Sequence, residues 1–254
     1  MKATMTDLVR SNDYQQPIGP ALPDWQPRAR PDGRTLQGRS CRLERLDADR
    51  HAAQLHAAFA TAPDGRDWTY MMSGPFPDAA SYRQQAGQMQ ATQDPLHHAV
   101  IDLRTGNAIG TLALMRIEPA HGVIEVGHIA LSPLLKRSRM ATEAHYLLMR
   151  HVFEDLGYRR YEWKCDSLNA PSRAAAQRLG FRFEGIFRQA IVYRGRSRDT
   201  AWFSIIDSEW PALRAAFEQW LDDGNFDAAG QQRQSLSALT RAALTQANAV
   251  SSAA

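Results

Sequence analysis

The stretch LLKRSRMATEA, residues 134–144, decides how the rest of the chain is read. Lys136, Arg137 and Arg139 stand at the start of a run in which Met140, Ala144, Leu147, Leu148, Val152 and Leu156 recur every three or four residues. That spacing is an amphipathic helix over 139–156, ended by Gly157. Three cations at the positive end of a helix dipole are electrostatically misplaced. They become favourable if a polyanion docks there, on basic side chains and free backbone N–H groups. Ser138 is a fair N-cap, and the N–H groups of Arg139 to Thr142 are then expected to lack partners without a ligand.

On either side the chain alternates strands and helices. SCRLERL (40–46) alternates as a strand does, and residues 47–60 carry the helical Leu55/Phe59 spacing. DWTYMMSGPF (67–76) reads as a loop bounded by Gly and Pro, with a helix at 78–92 after it. HHAVIDL (97–103) and AIGTLALMRI (108–117) are strands joined by the turn Arg104-Thr105-Gly106-Asn107, and GVIEVGHIALS (122–132) is a third. Then come a strand at 160–166, a helix at 170–179, strands at 181–193 and 199–207, and a helix at 210–221 with Pro211 in its first turn. This order predicts an α/β (α+β) fold: one mixed sheet with helices on both faces.

Three segments follow. Residues 1–37 are rich in Pro, Arg, Asp and Gln and read as an extended arm pinned at Trp25. Residues 38–209 are the folded domain. Residues 210–254 are a C-terminal helix and a partly disordered tail, with one short helix around Leu236, Leu239 and Leu244.

The 254 residues suffice for a real core, and 44% hydrophobic with 22% charged residues is a globular balance. A net charge of +3 is mildly basic, and no long basic run interleaves with aromatics, so nucleic acid is not expected as a partner. Two cysteines make neither a disulfide framework nor a metal cluster. His97 and His98 are neighbours on a strand and point to opposite sides, which argues against a metal. No apolar run approaches the roughly 20 residues of a membrane span. A cytoplasmic location without membrane attachment is expected.

A second motif, NAPSRAAAQRLGF at 169–181, has Asn169 as N-cap, Pro171 in the first turn and Gly180 as the stop. Taken with the basic turn, residues 38–207 resemble the GCN5-related N-acetyltransferase (GNAT) superfamily, nearest to its Rim-type (RimJ/RimL) branch, which acetylates protein N-termini. EVGHIALSP (125–133) matches the strand that in this family leads into a loop of pattern Gln/Arg-x-x-Gly-x-Gly/Ala. Here that loop is Lys136-Arg137-Ser138-Arg139-Met140-Ala141, with Arg139 in the place of the first glycine. Asn169-x-x-Ser172 followed by Gly180-Phe181 matches the family's Asn-x-x-[Ser/Ala]…Gly-Phe.

The resemblance implies a mostly antiparallel sheet with splayed middle strands, and acetyl-CoA as co-substrate without metal or second cofactor. In that case Ile129, Ala130 and Leu131 pair with the pantetheine arm, which Asn169 also meets. Lys136, Arg137, Ser138, Arg139, Met140, Ala141 and Thr142 receive the phosphates. Ser172, or as a less favoured substitute Tyr193, protonates the leaving thiolate. Glu125, the preferred candidate, or His128 takes the proton of the acceptor amine, directly or through a water. Three positions apart, these two share one side of a strand only if a bulge intervenes. Cys165 is a conceivable nucleophile, with a buried inert thiol the preferred reading. Trp68, Tyr70, Met71 and Met72 wall the acceptor groove or form a core flap. The expected acceptor is an amine on a protein or peptide N-terminus. The alternatives are a small amine or antibiotic, or a coenzyme A-binding regulator without turnover, which Arg139 favours. A monomer and a homodimer are equally compatible.

Overall fold

The computed structural model describes residues 10–253, with side chains described through residue 246. The first nine residues of the expected arm lie outside the described residues. A two-stranded ribbon, β1 (Arg10–Ser11) with β2 (Pro17–Ile18), stands apart from the main sheet. The arm then reaches Trp25, whose indole N–H donates to the Ala120 carbonyl at 2.8 Å while Arg28 lies 4.5 Å from its ring centre. The arm is thereby fixed on the turn between two central strands.

The main sheet has eight strands. They are β3 (Leu36–Gln37), β4 (Cys41–Arg45), β5 (Leu96–Asp102), β6 (Ala108–Glu118), β7 (Val123–Leu131), β8 (Arg160–Asp166), β9 (Arg182–Tyr193) and β10 (Arg196–Ile206). Their spatial order is β3-β4-β5-β6-β7-β8-β10-β9, and β7–β8 is the one parallel pair among antiparallel ones. The β5–β6 turn is held by the Asp102 side chain, which accepts from Arg104 N at 2.9 Å, and by Gly106 at φ 73°.

Helices α1 (Ala48–Phe59) and α2 (Ala79–Ala91) cover one face, over β4 to β6. Ala52, Leu55, Tyr82 and Ala86 meet Ala99, Ile101 and Ala108 there. The larger core lies on the other face, under α3 (Arg139–Arg150), α4 (Ala170–Arg178), α5 (Trp210–Leu221) and α6 (Leu236–Ala253). Each of the first four helices begins where a side chain caps it: Asp47, Asp78, Ser138 and Asn169 accept from Arg50, Ser81, Ala141 and Ser172 N–H groups.

The helix expected over 139–156 is α-helical only to Arg150. A single π turn, His151–Asp155, completes it before Gly157 at φ 68°. The tail also differs from expectation: in place of the one short helix expected around Leu236, Leu239 and Leu244, α6 runs Leu236–Ala253. Leu236 is fully buried, and Leu239 and Leu244 pack against the main core, so the three-to-five residue spacing of leucines finds an apolar seat.

Glu143 joins the start of the sheet to α3. Its carboxylate accepts from Arg39 N at 2.6 Å, Ser40 N at 2.8 Å, Cys41 N at 3.2 Å and the Ser40 hydroxyl. Burial opposes its charge, but these donors prevail and hold its pKa below the usual glutamate value.

Candidate active site

The site begins where two neighbouring strands part. β7 and β8 pair from Val123 with Arg160 to Val126 with Trp163, and the parallel ladder stops there. β7 continues to Leu131 held by β6 alone, while β8 continues to Asp166 held by β10. Between them lies a gap flanked by the Ile129–Leu131 backbone. The same point carries a bulge: Ala113 faces Gly127 and Thr111 faces Ala130, so His128 and Ile129 together oppose Leu112. His128 takes the left-handed φ of 48° that this extra residue requires.

The bulge decides which side chains meet. Residues opposed across a ladder share a face, so Glu125 lies with Met115, Glu162 and Gly127, and Gly127 lies with Ala113 and His97. Without a bulge His128 would point to the other face. With it, His128 Nδ1 lies 3.0 Å from His97 Nε2. Glu125, His128 and His97 therefore occupy one face, the face opposite α3 and α4. His98 points the other way and is buried, as strand alternation requires.

Beyond β6 this face is a floor of charged and aromatic side chains. Lys164 Nζ lies 2.9 Å from Glu125 and 2.7 Å from Glu162, with all three side chains under 10% exposed. Arg160 ties Glu162 to Glu184, and Arg116 stands 3.5 Å from Glu125. Trp202 lies under Lys164 at 3.7 Å and stacks on Phe187 at 4.4 Å. Burial raises the Glu125 pKa above the ordinary glutamate value against the pull of Lys164 and Arg116. Desolvation lowers that of His128, although its side chain stays open to solvent. Lys164, Trp202 and His97 are the floor residues that the sequence did not single out for this site. The one signal for them is strand alternation, which puts Glu162 and Lys164 on a common side.

Ser138 Oγ accepts from Ala141 N at 3.0 Å and donates to Leu135 O at 2.6 Å. The Ala141 N–H is thus already satisfied, and helix geometry gives that of Thr142 an internal acceptor. The N–H groups of Arg139 and Met140 are the ones the helix itself cannot serve, fewer than the four expected. Arg137 sits beside them at φ 57°. Lys136 pairs with Asp67 of the short helical turn Gly65–Trp68. The Arg139 side chain turns away from the gap, binding Leu221 O at 2.9 Å and Asp223 at 2.7 Å and lying 3.9 Å over the Phe226 ring. Thr142 Oγ1 accepts from Arg178 at 3.1 Å.

Asn169 spends its side-chain oxygen on Ser172 N at 3.1 Å, which leaves the amide NH2 to donate elsewhere. Ser172 Oγ accepts from Trp163 Nε1 at 3.0 Å, and its hydroxyl also hydrogen-bonds the Cys165 sulfur beside it. Tyr193 is buried and donates to Asp166 at 2.8 Å; burial and that carboxylate raise its pKa. Cys165 is buried, and desolvation raises its pKa, favouring the thiol over the thiolate. Trp68 packs edge-on against Phe59 and Phe76, while Tyr70 donates to Leu168 O at 3.1 Å, just before Asn169. Arg194 and Arg196 bind the Trp68 and Thr69 carbonyls, so the loop spans from the α1–α2 layer to the β9–β10 hairpin. Met72 is exposed and Met71 half-buried.

The family model described as an acetyltransferase (GNAT) domain matches residues 41–182, more than half the chain and all of this gap. The chain belongs to the GNAT acetyltransferase family. A crystal structure of a GCN5-related N-acetyltransferase from Brucella melitensis is 48% identical, covers 87% of this chain and 100% of its own, and superposes with a TM-score of 0.85. The p20 N-acetyltransferase of Bacillus licheniformis, itself uncharacterised, is 28% identical over 144 residues, 56% of this chain and 80% of that protein. A candidate ribosomal N-acetyltransferase of Bacillus subtilis (strain 168), YdaF, is 26% identical over 108 residues, 42% of this chain and 58% of that protein.

As a GNAT enzyme the chain uses acetyl-CoA as co-substrate, and the geometry fits that molecule. The gap exposes a strand edge for an amide-bearing arm, and the α3 N-terminus offers N–H groups beside Lys136 and Arg137. Among the described residues no helix is long and apolar enough to cross a membrane.

Proposed function

We propose that this chain acetylates the free amine of a protein or peptide N-terminus, with His128 taking the amine proton. The observation that carries this is the bulge at the end of the β7–β8 ladder, which brings His128 and Glu125 to one face beside the gap. Acetyl-CoA supplies an activated acetyl thioester. Ile129 to Leu131 and the Asn169 amide hold its pantetheine arm, and the phosphates lie against the start of α3 near Lys136 and Arg137. The new N–C bond forms as the C–S bond breaks, the amine proton passes to His128, and the thiolate gains a proton through the Ser172 hydroxyl, which is reprotonated from solvent as His128 releases its own proton there.

His128 suits the base better than Glu125 does. Desolvation lowers its pKa, which favours the neutral ring, and the residue remains solvent-exposed. Glu125 is buried and committed to Lys164 and Arg116, so its part is to hold the floor and its potential. Arg139 acts from outside the phosphate site, joining the start of α3 to the C-terminal segment.

The N-terminal acceptor rests on the Rim-type resemblance, on the name of the Bacillus subtilis relative, and on the floor itself. From β7 across β8 and β10 to β9 that floor spans three strand spacings, about 14 Å, enough for several residues of peptide. A second reading, a small amine, draws on the loop tethers from Tyr70, Arg194 and Arg196, which narrow the groove. Thiol release with acetyl-CoA against a panel of short peptides and small amines separates the two. The higher kcat/KM is expected for peptides with a free N-terminus, lost when that terminus is blocked. A small amine outpacing every peptide would favour the second reading.

A further inference from the structure

We propose that His97 is a positioning residue that fixes the tautomer of His128, so that His128 Nε2 presents a lone pair to the acceptor amine. This rests on His128 as the base.

The derivation starts from the far side of His97. Its Nε2 is taken by His128 at 3.0 Å, with ring centres 5.2 Å apart and planes inclined by 33°. Its Nδ1 lies 3.5 Å from the Thr92 hydroxyl, and the Met89 and Pro95 carbonyls are hydrogen-bond partners of the ring; with Nε2 taken by His128, Nδ1 is the nitrogen left to meet them. Those carbonyls accept only, and the hydroxyl already spends its single proton among them, at 2.9 Å and 2.5 Å. His97 Nδ1 therefore carries the ring proton.

His97 is 3% exposed, and burial lowers its pKa to about 4, so the ring is neutral and its Nε2 has a lone pair. A hydrogen bond between two ring nitrogens needs one donor. His128 Nδ1 must supply it, which leaves His128 Nε2 unprotonated. The tautomer of the exposed ring is thus set by two carbonyls near the end of α2 and the start of β5, through one buried imidazole. When His128 gains a proton at Nε2, its Nδ1–H bond to His97 becomes charge-assisted and strengthens, which favours the transfer. The bulge fixes the ring's backbone, and His97 fixes its proton.

Ring-nitrogen NMR of 15N-histidine-labelled protein tests this without any acceptor, at pH 7.5 with and without coenzyme A. The His97 and His128 signals are assigned by their loss in His97→Gln and His128→Gln. In the unmodified chain His128 is expected in the Nδ1–H form. His97→Leu removes the acceptor and should move His128 toward the Nε2–H form; His97→Gln, whose amide oxygen still accepts, should retain Nδ1–H. An Nε2–H His128 in the unmodified chain would overturn the proposal, as would an Nδ1–H form that survives His97→Leu.

Thiol release with acetyl-CoA and a free-N-terminus peptide adds a second readout. His97→Leu should lower kcat about tenfold to a hundredfold at unchanged KM for acetyl-CoA, and His97→Gln should restore most of it. If His128→Gln itself keeps full turnover, His128 is not the base, and the NMR result still decides whether His97 sets its tautomer.

Discussion

Replacing Arg139 by Ala tests which of two jobs this side chain does in the place of a family glycine. Ala keeps the helix propensity, so the change removes interactions and little else. Arg139 makes a charge-assisted bond to the Leu221 carbonyl at 2.9 Å and lies over Phe226 at 3.9 Å. A bond of the first kind is worth about 1.5 kcal/mol and a contact of the second about 0.5 kcal/mol. Asp223 is exposed and its pairing is screened by water, so it adds little. With the Arg139 side chain 40% exposed, the expected loss is about 1.5 kcal/mol. For a chain of this size that lowers Tm by about 3–6 °C. Coenzyme A affinity, measured by calorimetry, should change by less than about threefold, because the side chain points away from the gap. Phe226→Ala should show the same pattern. A tenfold loss of coenzyme A affinity in Arg139→Ala with Tm unchanged would refute this reasoning and put the guanidinium on a phosphate.

Substitutions at four further positions probe separate parts of the molecule. Asn169→Asp keeps the cap on α4 but loses the NH2 donor, so stability should hold while KM for acetyl-CoA rises about tenfold; Asn169→Ala should also lose about 1 kcal/mol in urea unfolding. Glu143→Gln turns an amide toward three backbone N–H donors and should cost about 2 kcal/mol, read by denaturant midpoint. Because the folded pKa of Glu143 is lowered, its stabilisation is present above the unfolded glutamate value and fades as pH falls through the folded one. The Glu143→Gln penalty should therefore shrink below about pH 4; a penalty constant from pH 7 to 3 would contradict this. Ser172→Ala should lower kcat at least tenfold, and Glu125→Gln less than tenfold with some loss of stability. Full kcat in both variants would overturn the assigned roles.

What the sequence made legible is what neighbouring residues determine. The α3 spacing, the Ser138 and Asn169 caps and the 104–107 turn all rest on contacts within a few positions, and each appears at the expected place. The π turn at His151–Asp155 escaped because its effect on the apolar spacing is one residue in eighteen. The acceptor floor was less legible for a topological reason. β10 enters between β8 and β9, which brings Trp202 beside Lys164 only once the strand order is known. The bulge at His128 gives no local compositional sign, since its residue is not glycine, and its partner His97 lies 31 positions away. Arg139 was recognisable as an anomaly, but the segment that receives its guanidinium is over 80 residues downstream.

The most direct test of the account is single-turnover acetyl transfer by His128→Gln, with the enzyme saturated with acetyl-CoA and a free-N-terminus peptide that the unmodified chain acetylates. The account predicts that the rate falls about a hundredfold or more while coenzyme A affinity stays within twofold. A rate within twofold of the unmodified chain would contradict it.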